Sequence, residues 1–386
     1  MDKVRIGIVG LGNMGTEHAE KFLTQKIENA ILAAVCDIDE SRLISYKDKN
    51  IAIFKSYSDM FKSGLIDAVI IATPHYSHTE IGICAFNAGL HVFCEKPIGV
   101  YTKQVNELNS VARIHNKQVF SSGFCLRTMN INKKIREIIQ NDQLGKIKRI
   151  NWIATNYYRS QSYYDSSNWR ATWVGEGGGI LMNQAPHTLD LLWYFFGVLP
   201  SRVFSKCYFG KWHDIEVEDD VTAIFEYLNG AIATLTVSTA DAPGTDRLEI
   251  LGDKGRLLLE NGKLIKSTLK IPEREFNKTY KGGFGYPEYT TEEIKIEPDE
   301  KQIHVAILQN FVNAILGKEE LIADGQEGIK SLQLANAILL STWFNKWIDL
   351  PVDENIFFDE LTKRVKKSKA KTGQDIKLNI TDSLKK

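Results

Sequence analysis

Residues 4–15, VRIGIVGLGNMG, decide the fold of the first part of the chain. The stretch opens with mostly apolar, β-branched residues, which is typical of a strand buried on both faces of a parallel sheet. Gly10, Gly12 and Gly15 follow in the spacing G-x-G-x-x-G, and the helix-like segment TEHAEKFLTQ comes next. A glycine motif between a strand and a helix predicts a dinucleotide-binding βα unit.

Each glycine has a physical role in such a unit. Gly10 permits the tight turn, Gly12 lets the backbone approach a pyrophosphate, and Gly15 lets the helix pack close to the strand. The amino end of the helix, at Asn13 and Met14, then faces the phosphates with its partial positive charge.

The second apolar strand, AILAAVCD (30–37), ends in Asp37. An acid roughly 20 residues after the glycines accepts hydrogen bonds from the ribose hydroxyls and repels a 2′-phosphate. The segment DIDES (37–41) contains no arginine. We therefore expect NAD, in preference to NADP, as the cofactor.

Further strands are expected at 67–74, 91–97 and 118–124, with a helix at 81–89. This alternation predicts a doubly wound parallel sheet, a Rossmann domain of the α/β class that we place at residues 1–124. Ligands of such sheets bind at the carboxyl ends of the strands. The residues at these ends that should face the nicotinamide half of the cofactor are Thr73, Pro74, Glu95 and Lys96. His78 either contacts the cofactor or has a structural role.

From residue 125 onward the pattern is that of an α+β domain, which we place at 125–386. The segment 221–238 reads as a hairpin around Asn229 and Gly230. Further strands at 247–251, 256–260 and 263–270 predict a large open antiparallel sheet, and helical periodicity appears at 304–317 and 331–344. One face of the sheet needs a cover, so we expect a homodimer or homotetramer formed through it.

The composition limits the partners and the compartment. The chain has 386 residues, a formal net charge of zero and 43% hydrophobic residues. Without a basic surplus, nucleic acid and anionic membrane surfaces are not expected partners. Five scattered cysteines without a C-x-x-C pair, and no leader-like start, favour the reducing cytoplasm.

Residues 176–190, EGGGILMNQAPHTLD, form a second glycine-rich stretch. A histidine with an ordinary pKa of ~6.5 suits a general base near neutral pH, which makes His187 a candidate. Asn183 lies one helical turn earlier, and it either caps the helix that begins near Pro186 or contacts a substrate. Asp190 is expected to give structural support.

The chain resembles the Gfo/Idh/MocA oxidoreductases, a family that includes glucose–fructose oxidoreductase and inositol dehydrogenase. The resemblance covers essentially the whole chain. The motifs that carry it are GLGNMG with Asp37, ATPHYSH (72–78), EKPIG (95–99), GFCLR (123–127), NWR (168–170), GGGILMNQAPHTLD (177–190) and NGAIATLTVST (229–239).

The resemblance implies a catalytic pair, Lys96 and His187. The usual family pattern has Asp four residues before the histidine, whereas this chain has Asn183, as do some members that act on sugars. Trp169 and Arg170 match a Trp–Arg pair that lies near the nicotinamide and substrate in some relatives. We therefore expect both to contact the cofactor. The expected substrate ligands are Lys96, Arg127, Tyr157, Trp169, Asn183 and His187, and no metal is expected.

The leading hypothesis is an NAD(H)-dependent dehydrogenase that acts on a ring hydroxyl or ketone of a sugar, glycoside or cyclic polyol. The aromatic residues before the glycines, from Tyr157 to Trp173, fit stacking on a sugar, and they fit a packed loop or a subunit contact equally well. Two alternatives remain: an NAD-dependent glycosidase on the same fold, and a non-catalytic sugar or nucleotide sensor.

Overall fold

Six parallel strands form the N-terminal sheet of the computed structural model, which describes residues 3–369 and 371. The strands are β1 (Val4–Val9), β2 (Ala30–Cys36), β3 (Ala52–Phe54), β4 (Ala68–Ile71), β5 (His91–Cys94) and β6 (Phe120–Ser122). Their spatial order is β3-β2-β1-β4-β5-β6. The order reverses between β1 and β4, which is where such sheets bind their ligands, at the carboxyl ends of the strands. The doubly wound sheet is confirmed.

Helices connect these strands on both faces. They are α1 (Asn13–Leu23), α2 (Glu40–Leu43), α3 (Tyr57–Lys62), α4 (His78–Asn87) and α5 (Thr102–Ile114). Short 3-10 helices lie at Ile44–Tyr46, His75–Ser77, Cys125–Thr128 and Gly325–Gly328.

Nine strands form the second sheet. They are β7 (Ile147–Ala154), β8 (Arg202–Phe209), β9 (Glu218–Glu226), β10 (Ile232–Ser238), β11 (Asp246–Gly252), β12 (Gly255–Glu260), β13 (Lys263–Leu269), β14 (Tyr289–Ile294) and β15 (Ile348–Asp349). The spatial order is β14-β13-β12-β11-β7-β10-β9-β8-β15.

The prediction of an antiparallel sheet needs one correction, because β7 and β10 pair in parallel. The chain between them forms two helices and the strands β8 and β9, and this long connection lets it return in the same direction. As a consequence, the carboxyl ends of β7 and β10 lie at the same end of the sheet.

The remaining helices are α6 (Asn130–Gln140), α7 (Gln161–Asp165), α8 (Pro186–Phe196), α9 (Glu273–Thr279), α10 (Ile303–Ile315), α11 (Ile329–Phe344) and α12 (Glu354–Val365). Both predicted late helices, α10 and α11, pack back on the first sheet's helices. The side chain of Gln309 accepts from the backbone of Glu28 at 2.7 Å, and Asn336 accepts from Thr102 at 3.2 Å. Within the described residues, no helix is both long and apolar enough to cross a membrane.

Candidate active site

The glycine loop after β1 is shaped by close backbone contacts. Gly10 has φ +90°, and a β-carbon at Gly15 would lie 1.8 Å from the carbonyl oxygen of Gly10. At Gly12, by contrast, a β-carbon would meet only the tip of Arg42, at 3.7 Å, and no side chain caps α1. The space over the amino end of α1 is therefore open, and it fits the pyrophosphate of a dinucleotide. Asn13 and Met14 form the first residues of α1, as expected.

Asp37 lies directly beside this loop at the end of β2. Its carboxylate accepts from the backbone N–H of Leu11 at 2.6 Å and of Asp39 at 2.8 Å, which fixes the side chain beside the glycine loop. One arginine is nearby after all, because α2 folds back and brings the Arg42 guanidinium to 3.7 Å from Asp37. This arginine directly follows the DIDES segment, which itself contains none.

The turn after β4 carries Thr73 and Pro74, and His78 fixes this turn. One ring nitrogen of His78 lies 2.7 Å from the carbonyl oxygen of Thr73, and the other lies 2.8 Å from that of Pro97. The ring is 1% exposed. His78 therefore ties two loops together, which fits its structural alternative, and contact with the cofactor remains a prediction.

Glu95 is turned inward behind the site. Its carboxylate lies 2.7 Å from the ring of His18, which reaches over from α1, and the backbone N–H of Lys96 donates to it at 3.2 Å. Burial raises the pKa of Glu95, but the hydrogen bond and charge of His18 outweigh it and lower that pKa to about 2. Glu95 thus supports the chain that carries Lys96, and sequence reasoning missed its partner His18.

The Lys96 side chain crosses from the first sheet to the glycine-rich stretch. Its ammonium group donates to the backbone carbonyl of Asn183 at 2.7 Å. Burial lowers the pKa of Lys96. A lysine in this setting stabilises negative charge on a nearby oxygen and loses its own proton more easily than a solvated lysine.

His187 lies in the first turn of α8, close to the same ammonium group. Burial and the Lys96 charge lower the pKa of His187 to about 3, so the ring is neutral at physiological pH. The Nδ1 atom is buried and has no hydrogen-bond partner among the described residues. Buried polar atoms are rarely left unpaired, so this nitrogen fits a role in binding a ligand.

Asn183 is held by a carboxylate that sequence reasoning missed. Its side-chain amide donates to Glu176, which is 1% exposed and also accepts from the backbone N–H of Ala171 at 2.6 Å. The amino cap of α8 is Ala185, so the prediction that Asn183 caps this helix is wrong. The helix begins at Pro186, where the missing N–H of proline costs nothing.

Tyr163 connects this amide to the predicted Trp–Arg pair. Its hydroxyl donates to the side-chain oxygen of Asn183 at 3.4 Å and accepts from Arg170 at 2.8 Å. The Arg170 guanidinium lies over the Trp169 ring, with 4.6 Å to its centroid, and the Trp169 ring contacts His75 after β4. The structure thus brings Trp169 and Arg170 to the strand ends that carry Lys96.

The three glycines at 177–179 pack against other parts of the protein, so they do not line open space. A β-carbon at Gly179 would lie 2.0 Å from the backbone oxygen of Glu218. The Glu218 carboxylate accepts from the backbone N–H of Gly179 at 2.8 Å and of Leu181 at 3.1 Å. The glycines therefore let the stretch dock on β9, which holds Asn183 and His187 in place.

Arg127 is a structural residue. Its side chain is fully buried, forms two hydrogen bonds with Asp190 at 2.8 Å and 2.6 Å, and pairs with Glu327. Its donors are directed at these carboxylates, and substrate contact by Arg127 remains a prediction. Asp190 gives the structural support that we expected.

Tyr157 also lies behind the site. Its hydroxyl lies 2.7 Å from that of Thr188, the residue after His187. Burial raises the pKa of Tyr157 to about 12, so the phenol stays neutral. This contact positions α8, and substrate contact by Tyr157 remains a prediction.

Two parts of the chain match known family domains. Residues 4–123 match an oxidoreductase family with an NAD-binding Rossmann fold, and residues 132–258 match the GFO/IDH/MocA C-terminal domain. Myo-inositol 2-dehydrogenase of Thermotoga maritima is 26% identical over 346 residues, covering 86% of this chain and 95% of that protein. D-glucoside 3-dehydrogenase of Escherichia coli is 26% identical, covering 88% of this chain and 95% of that protein.

A solved structure shows the same architecture with its ligands. It is the WlbA dehydrogenase from Bordetella pertussis in complex with NADH and UDP-GlcNAcA, which is 26% identical to this chain. The TM-score is 0.75, and the match covers 91% of this chain and 100% of that chain. Because the matched domains lie in both parts of the chain, the protein belongs to the Gfo/Idh/MocA family of NAD-dependent oxidoreductases.

Proposed function

We propose that this NAD-dependent dehydrogenase transfers a hydride between nicotinamide and a ring hydroxyl or ketone of a sugar, glycoside or cyclic polyol. The observation that carries the proposal is that the Lys96 ammonium group, just after β5, donates to the backbone of Asn183 one turn before His187, whose buried Nδ1 is unpaired among the described residues and whose pKa the Lys96 charge lowers. The relatives named as inositol and glucoside dehydrogenases support the substrate class.

The cofactor would be held by the glycine loop and by Asp37, and NAD supplies the hydride acceptor when bound. The open space at Gly12 and the uncapped start of α1 fit its pyrophosphate. The loops that carry Thr73, Pro74, Trp169 and Arg170 enclose the part of the site next to Lys96.

The protein residues then have to remove a proton from the substrate hydroxyl. Lys96 as a cation would hold the reacting oxygen and stabilise its developing negative charge. The neutral ring of His187 would accept the proton, or Lys96 itself would do so in its neutral form, which its lowered pKa favours.

The pH dependence of kcat/KM separates these two assignments. If His187 is the immediate base, alcohol oxidation should depend little on pH above about 5, because its pKa lies far below that value. If Lys96 is the base, the rate should rise with pH towards the lowered lysine pKa.

A substrate panel with two variants tests the proposed function. NADH formation at 340 nm would be measured with cyclic polyols, hexoses and glycosides. Lys96→Met and His187→Ala should each lower kcat/KM at least about 100-fold, while NAD binding stays near wild type. Wild-type-like turnover in either variant would disprove the catalytic pair. Cleaved glycoside without net NADH would indicate the glycosidase, and tight NAD binding without any turnover would indicate the sensor.

The outer face of the second sheet supports a homodimer or homotetramer. Ile153, Ile224 and Leu251, on three different strands, are 40%, 39% and 37% exposed. They lie on one face of the sheet, in three successive cross-strand rows, and exposed apolar side chains on an open sheet often mark a contact surface. We also propose a cytoplasmic location, for which the five free cysteines are suited. Sedimentation of the purified protein tests the assembly.

A further inference from the structure

A cleft of about 560 Å³ opens beside the candidate active site. It is lined by Tyr158, Arg159, Ser160, Gln161, Trp212, His213, Ala240 and Asp241. These residues belong to the loops that follow β7, β8 and β10. The parallel pairing of β7 and β10, with β8 antiparallel to β9, brings these three loops to one end of the sheet.

Hydrogen bonds between the loops fix the walls of the cleft. The His213 ring lies 2.9 Å from the carbonyl oxygen of Arg159 and 3.1 Å from the carboxylate of Asp219. Gln161 exchanges two hydrogen bonds with the backbone of Asp214, at 2.9 Å and 3.3 Å. The cleft is therefore built before any ligand enters, which lowers the entropic cost of binding.

One side chain separates this cleft from the predicted catalytic residues. The Arg159 guanidinium lies over the ring of Tyr163, 5.1 Å from its centroid. The hydroxyl of the same tyrosine lies 3.4 Å from the side-chain oxygen of Asn183. Tyr163 therefore lies between the cleft and Asn183, and a ligand bound at both places has to span this side chain.

The cleft presents aromatic surface to solvent. Trp212 is 58% exposed and Tyr158 is 50% exposed, although large aromatic side chains are normally well buried. The Lys211 ammonium group lies over the Trp212 ring, 4.7 Å from its centroid. The remaining exposed aromatic surface, beside carboxylate and amide acceptors, suits a sugar ring, which has apolar C–H faces and hydroxyl donors.

The charged side chains at the cleft balance one another. Lys211, next to the cleft, is paired with Asp220 at 2.6 Å. The Arg159 guanidinium donates to the backbone carbonyls of Tyr157 and Tyr158. Because hydrogen bonds to neutral carbonyls leave the Arg159 charge in place, this cation and the exposed carboxylate of Asp241 offset each other, and the lining offers no surplus of positive charge for a diphosphate.

We propose that this cleft is an outer subsite for the second ring of an uncharged glycoside, with the oxidised ring held at Lys96 and His187. This inference rests on the proposed function and deepens it, because it selects a neutral glycoside over a nucleotide sugar as the substrate class.

The test compares methyl glucopyranosides, the disaccharides maltose and cellobiose, and UDP-glucose as substrates with NAD. A wild-type enzyme with this subsite should have a higher kcat/KM for a disaccharide than for the methyl glucoside. Trp212→Ala should reduce this ratio about tenfold, corresponding to ~1.4 kcal/mol of lost binding. Phe284→Ala, which removes a fully exposed aromatic residue away from the cleft-lining loops, should leave the ratio unchanged.

The subsite proposal would be overturned if Trp212→Ala left the ratio of kcat/KM for disaccharide to that for methyl glucoside unchanged. It would also be overturned if Trp212→Ala lost activity only with UDP-glucose. Disaccharide binding measured by calorimetry keeps the two proposals separate. If no sugar is oxidised, the proposed function fails, but weaker disaccharide binding in Trp212→Ala still supports the subsite. Equal binding by the wild type and Trp212→Ala, or no binding by either, overturns it.

Discussion

The side-chain amide of Asn183 donates a hydrogen bond to the buried carboxylate of Glu176. This contact fixes the amide, so that its oxygen points towards the Tyr163 hydroxyl. In the usual family pattern the residue at position 183 is itself a carboxylate. In this chain the carboxylate is that of Glu176, which contacts the Asn183 side chain. Burial raises the pKa of Glu176, while Arg170 acts in the opposite direction. Asn183 thus presents an acceptor to the site, and Glu176 determines its orientation.

The first prediction concerns this orientation. Glu176→Gln places an amide nitrogen against either the Asn183 amide or the backbone N–H of Ala171, and in both cases two donors face each other. Asn183 should rotate and misplace the substrate, which lowers kcat/KM about 10- to 100-fold. Steady-state kinetics should show the loss, with thermal melting near that of the wild type.

Glu216→Gln is the matched control, because this carboxylate accepts from the backbone N–H of Trp173 at 2.7 Å and does not contact Asn183. It should keep wild-type kinetics. Equal losses in both variants would show that Glu176 has only a general structural role.

The second prediction concerns Asp37 and Arg42. Asp37→Ser removes the carboxylate that repels a 2′-phosphate, while the positive charge of Arg42, 3.7 Å from Asp37 and also paired with Asp39, stays nearby and favours that phosphate. The ratio of kcat/KM for NAD to that for NADP should therefore fall about tenfold or more, as expected for a charged hydrogen bond. The double variant with Arg42→Ala should lose the gain with NADP. If the ratio does not change in Asp37→Ser, Asp37 has no role in cofactor choice.

Much of the fold follows from local sequence patterns. The buried runs at β1, β2, β4 and β5 and the Asn229–Gly230 turn give strong signals, because they depend on neighbouring residues alone. The strand β14, YTTEEI, gave no such signal, since it is an exposed edge strand without an apolar face. The parallel pairing of β7 and β10 also depends on long-range packing, which periodicity does not encode.

Only the site residues that lie within a recognisable sequence motif could be predicted. Lys96 and His187 follow from the family resemblance, but the partners of the site residues do not. Glu176 reaches Asn183 through left-handed backbone at Ala171 and Gly177, and His18 reaches Glu95 from a different helix. Such contacts depend on tertiary structure, so a single sequence does not reveal them.

The third prediction tests the structural role of Arg127. Arg127→Ala leaves Asp190 buried and unpaired, which should lower the free energy of unfolding by about 3–5 kcal/mol. Arg136→Ala is the control, because that guanidinium lies over the Tyr194 ring without full burial. Its effect in chemical denaturation should be much smaller. A stable Arg127→Ala protein with a raised KM would instead support Arg127 as a substrate ligand.

The last prediction concerns the buried acid that holds the glycine-rich stretch. Burial raises the pKa of Glu218 from 4.5 to about 7. Because the folded pKa lies above the unfolded value, the stabilisation is complete below pH 4.5 and is lost as the pH rises through about 7. Glu218→Gln keeps an oxygen for the N–H groups of Gly179 and Leu181 but does not titrate. Relative to the wild type, its free energy of unfolding should increase steadily across this pH range.

Chemical denaturation at several pH values measures that difference. Glu226→Gln, on the same strand but paired with Arg202 at the surface, should give a difference from the wild type that does not vary with pH in this way. Parallel stability curves for Glu218→Gln and the wild type would mean that Glu218 is ionised throughout. In that case the two backbone hydrogen bonds outweigh burial, because they stabilise the carboxylate more than the protein interior disfavours it.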